Sequence, residues 1–226
     1  MKNKNSLLLP PQFFETDSDE KIRNILDLDV DALYLFDHFK NPTDSSKPTY
    51  IFTEEIFSLY KKVKNQIEVG VCVLNVNARD LNILFKDIID PLLELKNINI
   101  GLGTGDNKYE KHVEIFDNDI EVVINYILKN NNFISNNSTL FIGGNSQSKL
   151  DLVQKYNLGI NQWMGSDSDF IDKQNVYKNL INPIGRLSRC VTNNKISESD
   201  YEIIFVVKDS NLKIFEETVD NIFKND

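Results

Sequence analysis

The chain has 226 residues, of which 41% are hydrophobic, so it is long enough to bury a core of ordinary size. Its formal net charge of -9 and pI of about 4.8 argue against nucleic-acid binding by charge, and any anionic ligand would need a local binding site. Its two cysteines, Cys72 and Cys190, are far apart in sequence and form neither a zinc signature nor a disulfide framework. The apolar run 7–9 ends at two prolines and is too short for a signal segment or a membrane span. These features predict a soluble, cytoplasmic protein.

Apolar strands alternate with amphipathic helices along the chain. The predicted strands are 6–9, 32–36, 68–74, 99–103, 140–146, 159–163 and 202–207. The predicted helices are 17–26, 53–64, 81–95, 115–128, 149–156 and 211–224, with Pro91 bending or restarting the third. A polar loop at 42–48 has the composition of a mobile lid, and the polar stretch 166–199 has no assigned element.

Strict strand–helix alternation predicts an α/β fold with parallel strands joined by right-handed crossovers. We expect a single domain over 1–226 that forms a TIM-type (β/α) barrel. About seven βα units are visible and no eighth strand is seen, so the barrel is expected to be incomplete. The alternative, an open doubly wound sheet, is disfavoured because two prolines follow the first strand, where a dinucleotide fingerprint would stand. The open edge of an incomplete barrel predicts a homodimer, or else a cover formed by the 166–199 stretch.

The stretch 99–110 organises the chain around a glycine-rich strand end. Glycines at 101, 103 and 105 suit a place where a large group approaches the backbone closely. Two carboxylates, Asp106 and Glu110, follow at the end of a strand in a βα unit, where ligands of α/β proteins bind. The simpler interpretation is a glycine-rich loop with acidic residues in the first turn of a helix.

Other strand ends carry unusual residues that would converge at one mouth in a barrel. Asp37 and His38 follow the second strand and could act as an acid–base pair, although a histidine bonded to a neighbouring loop is equally compatible. Gly143–Ser146 precedes a helix that has Lys149 in its first turn, which favours a phosphate site over a simple tight turn. Cys72 is predicted to be a small buried residue rather than a nucleophile.

These residues, in this order, resemble the luciferase-like monooxygenase superfamily of flavin- or deazaflavin-dependent oxidoreductases. The resemblance rests on segments 32–39 (ALYLFDHF), 69–74 (VGVCVL), 101–110 (GLGTGDNKYE) and 141–146 (FIGGNS), and it covers most of the chain. It implies a (β/α) barrel that binds FMN or the deazaflavin coenzyme F-420 at its C-terminal mouth. It also implies that His38 and Asp106 lie beside the reacting ring, that Cys72-Val73 forms a bulge behind the ring which in some members holds a non-prolyl cis peptide, and that Gly143 and Gly144 take the phosphate.

Together, the strand ends and the resemblance give a candidate site. Its catalytic residues are His38, Asp37, Asp106 and Glu110, and its cofactor-binding residues are Cys72, Val73, Gly103, Thr104, Gly105, Gly143, Gly144, Asn145, Ser146 and Gly165. No metal site is expected.

The predicted function is hydride transfer between the cofactor and a small organic substrate, with His38 as acid or base and Asp106 assisting it. Two alternatives stay open: a non-catalytic flavin-binding protein of the same fold, and a cofactor-free barrel hydrolase or lyase that uses Asp37, His38 and Asp106. The chain departs from the family in being shorter than most members, in having almost no insertion after the glycine strand, and in carrying Leu158-Gly159 where Asp-Gly is usual.

Overall fold

Eight parallel strands form a closed barrel in sequence order. The computed structural model describes residues 4–38, 40–41, 46–47, 49–50, 52–105, 116–144, 146–192 and 200–224. The strands are β1 (Asn5–Leu8), β2 (Ala32–Leu35), β3 (Glu68–Asn75), β4 (Ile98–Gly103), β5 (Thr139–Gly143), β6 (Gly159–Trp163), β7 (Leu187–Val191) and β8 (Glu202–Val206). The TIM-type fold predicted from the alternating pattern is therefore confirmed.

Helices pack around the outside of this barrel. They are α1 (Ser18–Leu26), α2 (Phe52–Val63), α4 (Ile120–Lys129), α5 (Asn131–Ser135), α6 (Gln147–Tyr156), α7 (Asp167–Lys178) and α8 (Leu212–Phe223), together with a composite α3. Helix α3 runs through Leu81–Ile83, a π-helical turn Leu84–Ile89 and a final turn Asp90–Leu93. Pro91 lies at the start of that final turn, where its missing N–H is tolerated. None of the helices in the described ranges is long and apolar enough to cross a membrane.

The strands are buried on both faces, which explains why they appear in the sequence as nearly continuous apolar runs. Outward-facing strand residues pack against the helices in the larger core cluster, as Leu33, Val69 and Ile100 do. Inward-facing residues fill the barrel itself and include Leu8, Ala32, Tyr34, Phe36, Cys72, Phe141, Cys190 and Ile204. The interior is thus a packed core, and a ligand has to bind at one end of it.

The N-terminal end of the barrel is closed by a charged cluster, here called the basal layer. The Arg186 guanidinium lies between two carboxylates, with Nη2 2.6 Å from an Oε of Glu68 and Nη1 3.5 Å from an Oε of Glu202. The hydroxyl groups of Ser6 and Tyr34 donate hydrogen bonds to Glu202 at 2.6 and 3.1 Å. Burial raises the pKa of the Glu202 carboxyl despite the nearby guanidinium. The basal layer joins residues of β1, β2, β3 and β8, and it leaves the opposite end of the barrel as the place for a site.

The prediction of an incomplete barrel was wrong, because the stretch 166–199 contains both a helix and a strand. Strand β7 pairs with β6 and β8. It was not predicted because it lacks a continuous apolar run: Ser188 and Cys190 face the interior, while Arg189 faces α7. Helix α7 begins with a capping box formed by Ser166 and Asp169. The strand predicted as the last and seventh is β8, and its pairing with β1 closes the barrel. The described strands leave no open edge, so the open-edge argument for a homodimer no longer applies. Self-association itself stays a prediction.

Candidate functional site

The mouth at the C-terminal ends of the strands brings together most of the predicted site residues. His38 follows β2, Cys72 and Val73 lie in β3, and the residues from 103 to 105 end β4. Gly143, Gly144 and Ser146 lie at the end of β5, and Gly165 lies in the turn after β6. Asp106, Glu110 and Asn145 lie outside the described residues, as does most of the predicted lid at 42–48.

Asp37 forms a buried ion pair with Arg79 at the mouth of the barrel. Its carboxylate is 5% exposed, and each of its oxygens accepts a hydrogen bond from Arg79 at 2.7 Å. It also accepts the backbone N–H of Asn75 at 3.1 Å. A carboxylate held by a bidentate guanidinium has a fixed geometry. The structure therefore indicates that Asp37 orders the mouth, and its acid–base role beside His38 stays a prediction.

The loop between β3 and α3 is fixed by a polar network that the sequence analysis missed. The Asn118 side-chain amide donates to the carbonyl oxygens of Val76 and Arg79, both at 2.7 Å. The Asn77 amide donates to the carbonyl oxygen of Thr104 at 3.3 Å and so connects this loop to the end of β4. Because β2 and β3 are neighbours in a parallel barrel, a cation after β3 is expected to face an acid after β2. This adjacency could have revealed Arg79.

His38 lies half-buried beside a small aromatic cluster. Its ring centroid is 5.4 Å from that of Phe36, which in turn lies 4.8 Å from the ring of Tyr50. The Tyr50 hydroxyl accepts the backbone N–H of Phe36 at 2.8 Å, which fixes the end of β2. The role of His38 as acid or base stays a prediction.

Strand β3 contains an irregularity where the resemblance implies a bulge behind the cofactor ring. The pairing of β3 with β4 shifts between Val71 and Leu74, and the Cys72–Val73 peptide bond is cis. The Cys72 Sγ lies 3.9 Å from the Sγ of Cys190, across the barrel interior, and both are free thiols. The hydrogen bond with Cys190 and burial raise the pKa of the Cys72 thiol well above its usual value. Cys72 is therefore a protonated, buried thiol rather than a nucleophile.

The glycines of β4 and β5 mostly make room for side chains of the protein itself. A Cβ atom on Gly101 would lie 2.3 Å from the ring of Phe141. Cβ atoms on Gly103 and Gly143 would lie 2.5 and 2.9 Å from the two γ-carbons of Val73. Side chains of the barrel thus occupy the space that these glycines leave at their Cβ positions. The contact of Gly103 and Gly143 with the cofactor stays a prediction.

The turn after β5 places a lysine where an anion could bind. Gly144 has φ of +119°, and a Cβ there would lie 2.8 Å from the Lys149 Nζ, so the lysine side chain folds over the glycine. The Lys149 ammonium donates to the Thr104 hydroxyl at 3.2 Å, and burial lowers its pKa. Ser146 is the N-cap residue of α6, so the positive end of this helix lies close by. We call Thr104, Gly144, Ser146 and Lys149 the Lys149 corner.

Gly105 and Gly165, two other predicted cofactor contacts, lie in tightly packed turns. Gly105 has φ of +76°, and a Cβ there would meet the Asn75 side chain at 2.6 Å. Gly165 has φ of +83°, and its carbonyl oxygen accepts a hydrogen bond from Arg189 at 3.0 Å. Both glycines provide turn conformations that a larger residue adopts only with strain.

Lys173, on α7, is another charged residue that the sequence analysis missed. It is 2% exposed, and burial lowers its pKa to about 8 even though Asp169 is close enough to raise it. Its charge interacts with those of Asp169, Arg189 and Lys149. The capping signal at Ser166 could have revealed the helix that carries it.

A cleft of about 150 Å³ lies at the opposite end of the barrel and is lined by residues that include Tyr60, Lys64, Glu68 and Lys96. It adjoins the N-terminal ends of β3 and β4, and it contains none of the predicted site residues. In (β/α) barrels the C-terminal face carries the site, so we assign the candidate site to the mouth.

Comparison with known proteins supports the fold. The structure is similar to that of the coenzyme F-420-dependent tetrahydromethanopterin reductase from Methanopyrus kandleri, with a TM-score of 0.59 and 13% identity. The match covers 85% of this chain and 66% of the reductase chain, so the protein spans slightly less than two thirds of that enzyme. No family model and no curated protein matches the sequence. The TIM-type barrel that the resemblance implies is thus confirmed, and it is similar to the fold of an F-420-dependent reductase.

Proposed function

We propose that the protein is a luciferase-like oxidoreductase that transfers a hydride between FMN or coenzyme F-420 and a small organic substrate. The observation that carries this proposal is the Lys149 corner at the mouth of a barrel similar to that of an F-420-dependent reductase. A phosphate group is common to both cofactors, and this corner offers it a half-buried ammonium and the start of a helix. In a protein of net charge -9, such a local site is what an anionic ligand requires.

The residues of the mouth fit such a cofactor best at its phosphate end. The Lys149 ammonium has lost part of its hydration, which a bound anion would replace, and Gly144 leaves room for the lysine side chain to lie over the turn. The irregular segment of β3 and the aromatic residues below it provide the floor of the mouth. A flavin or deazaflavin supplies hydride transfer when it is bound. The protein's own part is to hold the phosphate, order the mouth through Asp37 and Arg79, and exchange a proton at an imidazole nitrogen of His38.

One alternative is supported by a specific observation. Because Arg79 binds both oxygens of Asp37, the described part of the mouth retains His38 as its candidate acid–base group. This favours a non-catalytic flavin-binding protein over a cofactor-free hydrolase or lyase, which would use Asp37 together with His38. Turnover with a reduced cofactor separates the oxidoreductase from the binding protein.

The proposal is tested by comparing FMN with riboflavin, which lacks the phosphate, in binding to the purified protein. We expect Lys149→Met and Gly144→Val to weaken FMN binding roughly tenfold or more, because a hydrogen bond to a charged group contributes about 1.5–3 kcal/mol. Riboflavin binding should change little. Lys155→Met, at the exposed end of the same helix, is the matched control, since Lys155 pairs with Glu121. If both ligands lose affinity equally, or if neither FMN nor F-420 binds the wild-type protein, the proposal fails.

A further inference from the structure

Trp163 is the last residue of β6 and is half-exposed at the C-terminal end of this strand. It is paired with Cys190 of β7, whose thiol lies inside the barrel 3.9 Å from that of Cys72. Two residues earlier on β6, Asn161 also faces the interior, where its amide donates to the Ser188 hydroxyl at 2.9 Å. Because strand side chains alternate between faces, Trp163 shares the inward face of Asn161 and lies one layer nearer the mouth. Its 52% exposure is therefore exposure toward the mouth.

The backbone around Trp163 is held in one geometry. The N–H of Met164, a residue with φ of +45°, donates to the carbonyl oxygen of Cys190 at 3.2 Å. The Gln162 amide donates to the carbonyl oxygen of Ser166 at 3.0 Å, which closes the turn from the other side. A non-glycine residue at positive φ is uncommon and persists where the surroundings determine it. Trp163 is thus presented on a fixed turn rather than on a mobile loop.

Trp163 also lies on the strand next to the Lys149 corner. Strands β5 and β6 are paired, with Gly143 opposite Asn161, so the turn that carries Lys149 and the end of β6 are neighbours at the mouth. A molecule with an anionic group at Lys149 would therefore place its adjoining part beside the indole. Indole rings bind planar aromatic systems by offset stacking or edge-to-face contact, and burying a large exposed aromatic side chain favours such binding.

We propose that Trp163 forms the aromatic wall of the ligand site and packs against the planar heteroaromatic ring of the molecule whose phosphate is bound at the Lys149 corner. This inference rests on the proposed function and adds to it a residue that determines recognition of the ring. It makes the site bipartite, with the phosphate recognised at the end of β5 and the ring at the end of β6.

The experiment uses FMN and riboflavin as probes and measures their dissociation constants by equilibrium dialysis. Trp163→Leu should weaken the binding of both ligands roughly tenfold, since the ring is common to both, whereas Trp163→Phe should retain most of the affinity. This pattern differs from that of Lys149→Met, which should affect FMN alone. Ile134→Ala is the control, because Ile134 is 76% exposed on α5, which precedes the N-terminal end of β5. Trp163 is the only tryptophan in the chain, so quenching of its emission should follow FMN binding directly.

The outcomes separate the two proposals. If Trp163→Leu binds both flavins as tightly as the wild type does, the role of Trp163 is refuted while the cofactor assignment stands. If the wild type binds FMN in dialysis without any change in tryptophan emission, the packing of Trp163 against the ring is likewise refuted. If the wild type binds neither flavin nor F-420, the proposed function fails and the inference fails with it.

Discussion

Replacing Gly103 with alanine should reveal whether this glycine serves the barrel or a ligand. An added Cβ would lie 2.5 Å from the Cγ2 of Val73, which is closer than two carbon atoms approach without displacement. Strand β4 is hydrogen-bonded to β3 on one side and to β5 on the other, so its backbone has little freedom to withdraw. Overpacking of this kind costs about 1–3 kcal/mol. We therefore expect Gly103→Ala to lower the free energy of unfolding by about 2 kcal/mol.

Combining Gly103→Ala with Val73→Ala tests whether Val73 is the cause of the expected loss of stability. Val73→Ala removes both γ-carbons, and because Val73 is partly exposed it should cost only about 1 kcal/mol by itself. In the double variant the added methyl occupies the space that valine leaves, so the two costs should fall short of additivity by about 1–2 kcal/mol. Gly101→Ala is the matched control, because its Cβ would meet the ring of Phe141 and the carbonyl oxygen of Val71 instead. Val73→Ala should not rescue it.

Urea unfolding provides the measurement. With an m-value of about 3 kcal/mol per molar urea, a loss of about 2 kcal/mol moves the midpoint by about 0.7 M, which is readily resolved. FMN affinity, measured on the wild type, the two single variants and their double variant, shows whether Gly103 also contacts a ligand. If the effects of Gly103→Ala and Val73→Ala on the free energy of unfolding are strictly additive, Val73 is not the reason that a glycine is required at position 103.

Three further predictions follow from the mouth and the basal layer. If the proposed function holds, His38→Ala should lower turnover roughly 10²- to 10⁴-fold while leaving FMN affinity nearly unchanged, and equal turnover in steady-state assays would exclude His38 from the mechanism. Arg79→Met should destabilise the protein by about 3–5 kcal/mol in urea unfolding, because it leaves the buried Asp37 carboxylate unpaired, and adding Asp37→Asn should recover much of this loss. Burial alone would raise the pKa of Glu68, but its charged and hydrogen-bonding partners in the basal layer hold it below the usual value. The wild type should therefore be more stable than Glu68→Gln above the unfolded-state pKa of about 4.3, and this advantage should fade as pH falls through the lowered folded-state pKa; an advantage that grows on acidification would contradict this.

The fold was largely predictable because its strands are buried on both faces and its helices are amphipathic. The failures have a common physical origin in polar residues with structural tasks. Strand β7 escaped recognition because Ser188 faces a polar part of the interior and Arg189 pairs with Asp167 at the start of α7. Helix α7 escaped because it lacks a clear apolar face, and its capping box was the available signal. Periodicity alone does not identify elements whose polar side chains are satisfied by long-range partners.

The candidate site was predictable in position but less so in detail. Parallel strands bring their ends to one mouth, so the locations of His38, Cys72 and Gly144 followed from the topology. The partners of those residues depend on contacts between distant segments, such as Arg79 with Asp37, which lie 42 residues apart. The glycines of β4 predicted a close approach to the backbone, and the side chains of Phe141 and Val73 do lie close to two of them. Glycines in a sequence thus indicate where a group approaches the backbone closely, but they do not identify that group.

The basal layer has a consequence for the order in which the chain folds. Ser6 and Glu202 are 196 residues apart, Tyr34 and Glu202 are 168 apart, and Arg186 and Glu68 are 118 apart. Contacts at such separations carry the largest entropic cost of loop closure. We therefore expect them to form after the local strand–helix units have formed. Until the last strand docks, Arg186 lacks one of its carboxylate partners, and the first strand lacks a neighbour on one side. We therefore expect the basal layer to form late in folding, once β8 has paired with β1, and to connect the N-terminal and C-terminal parts of the barrel.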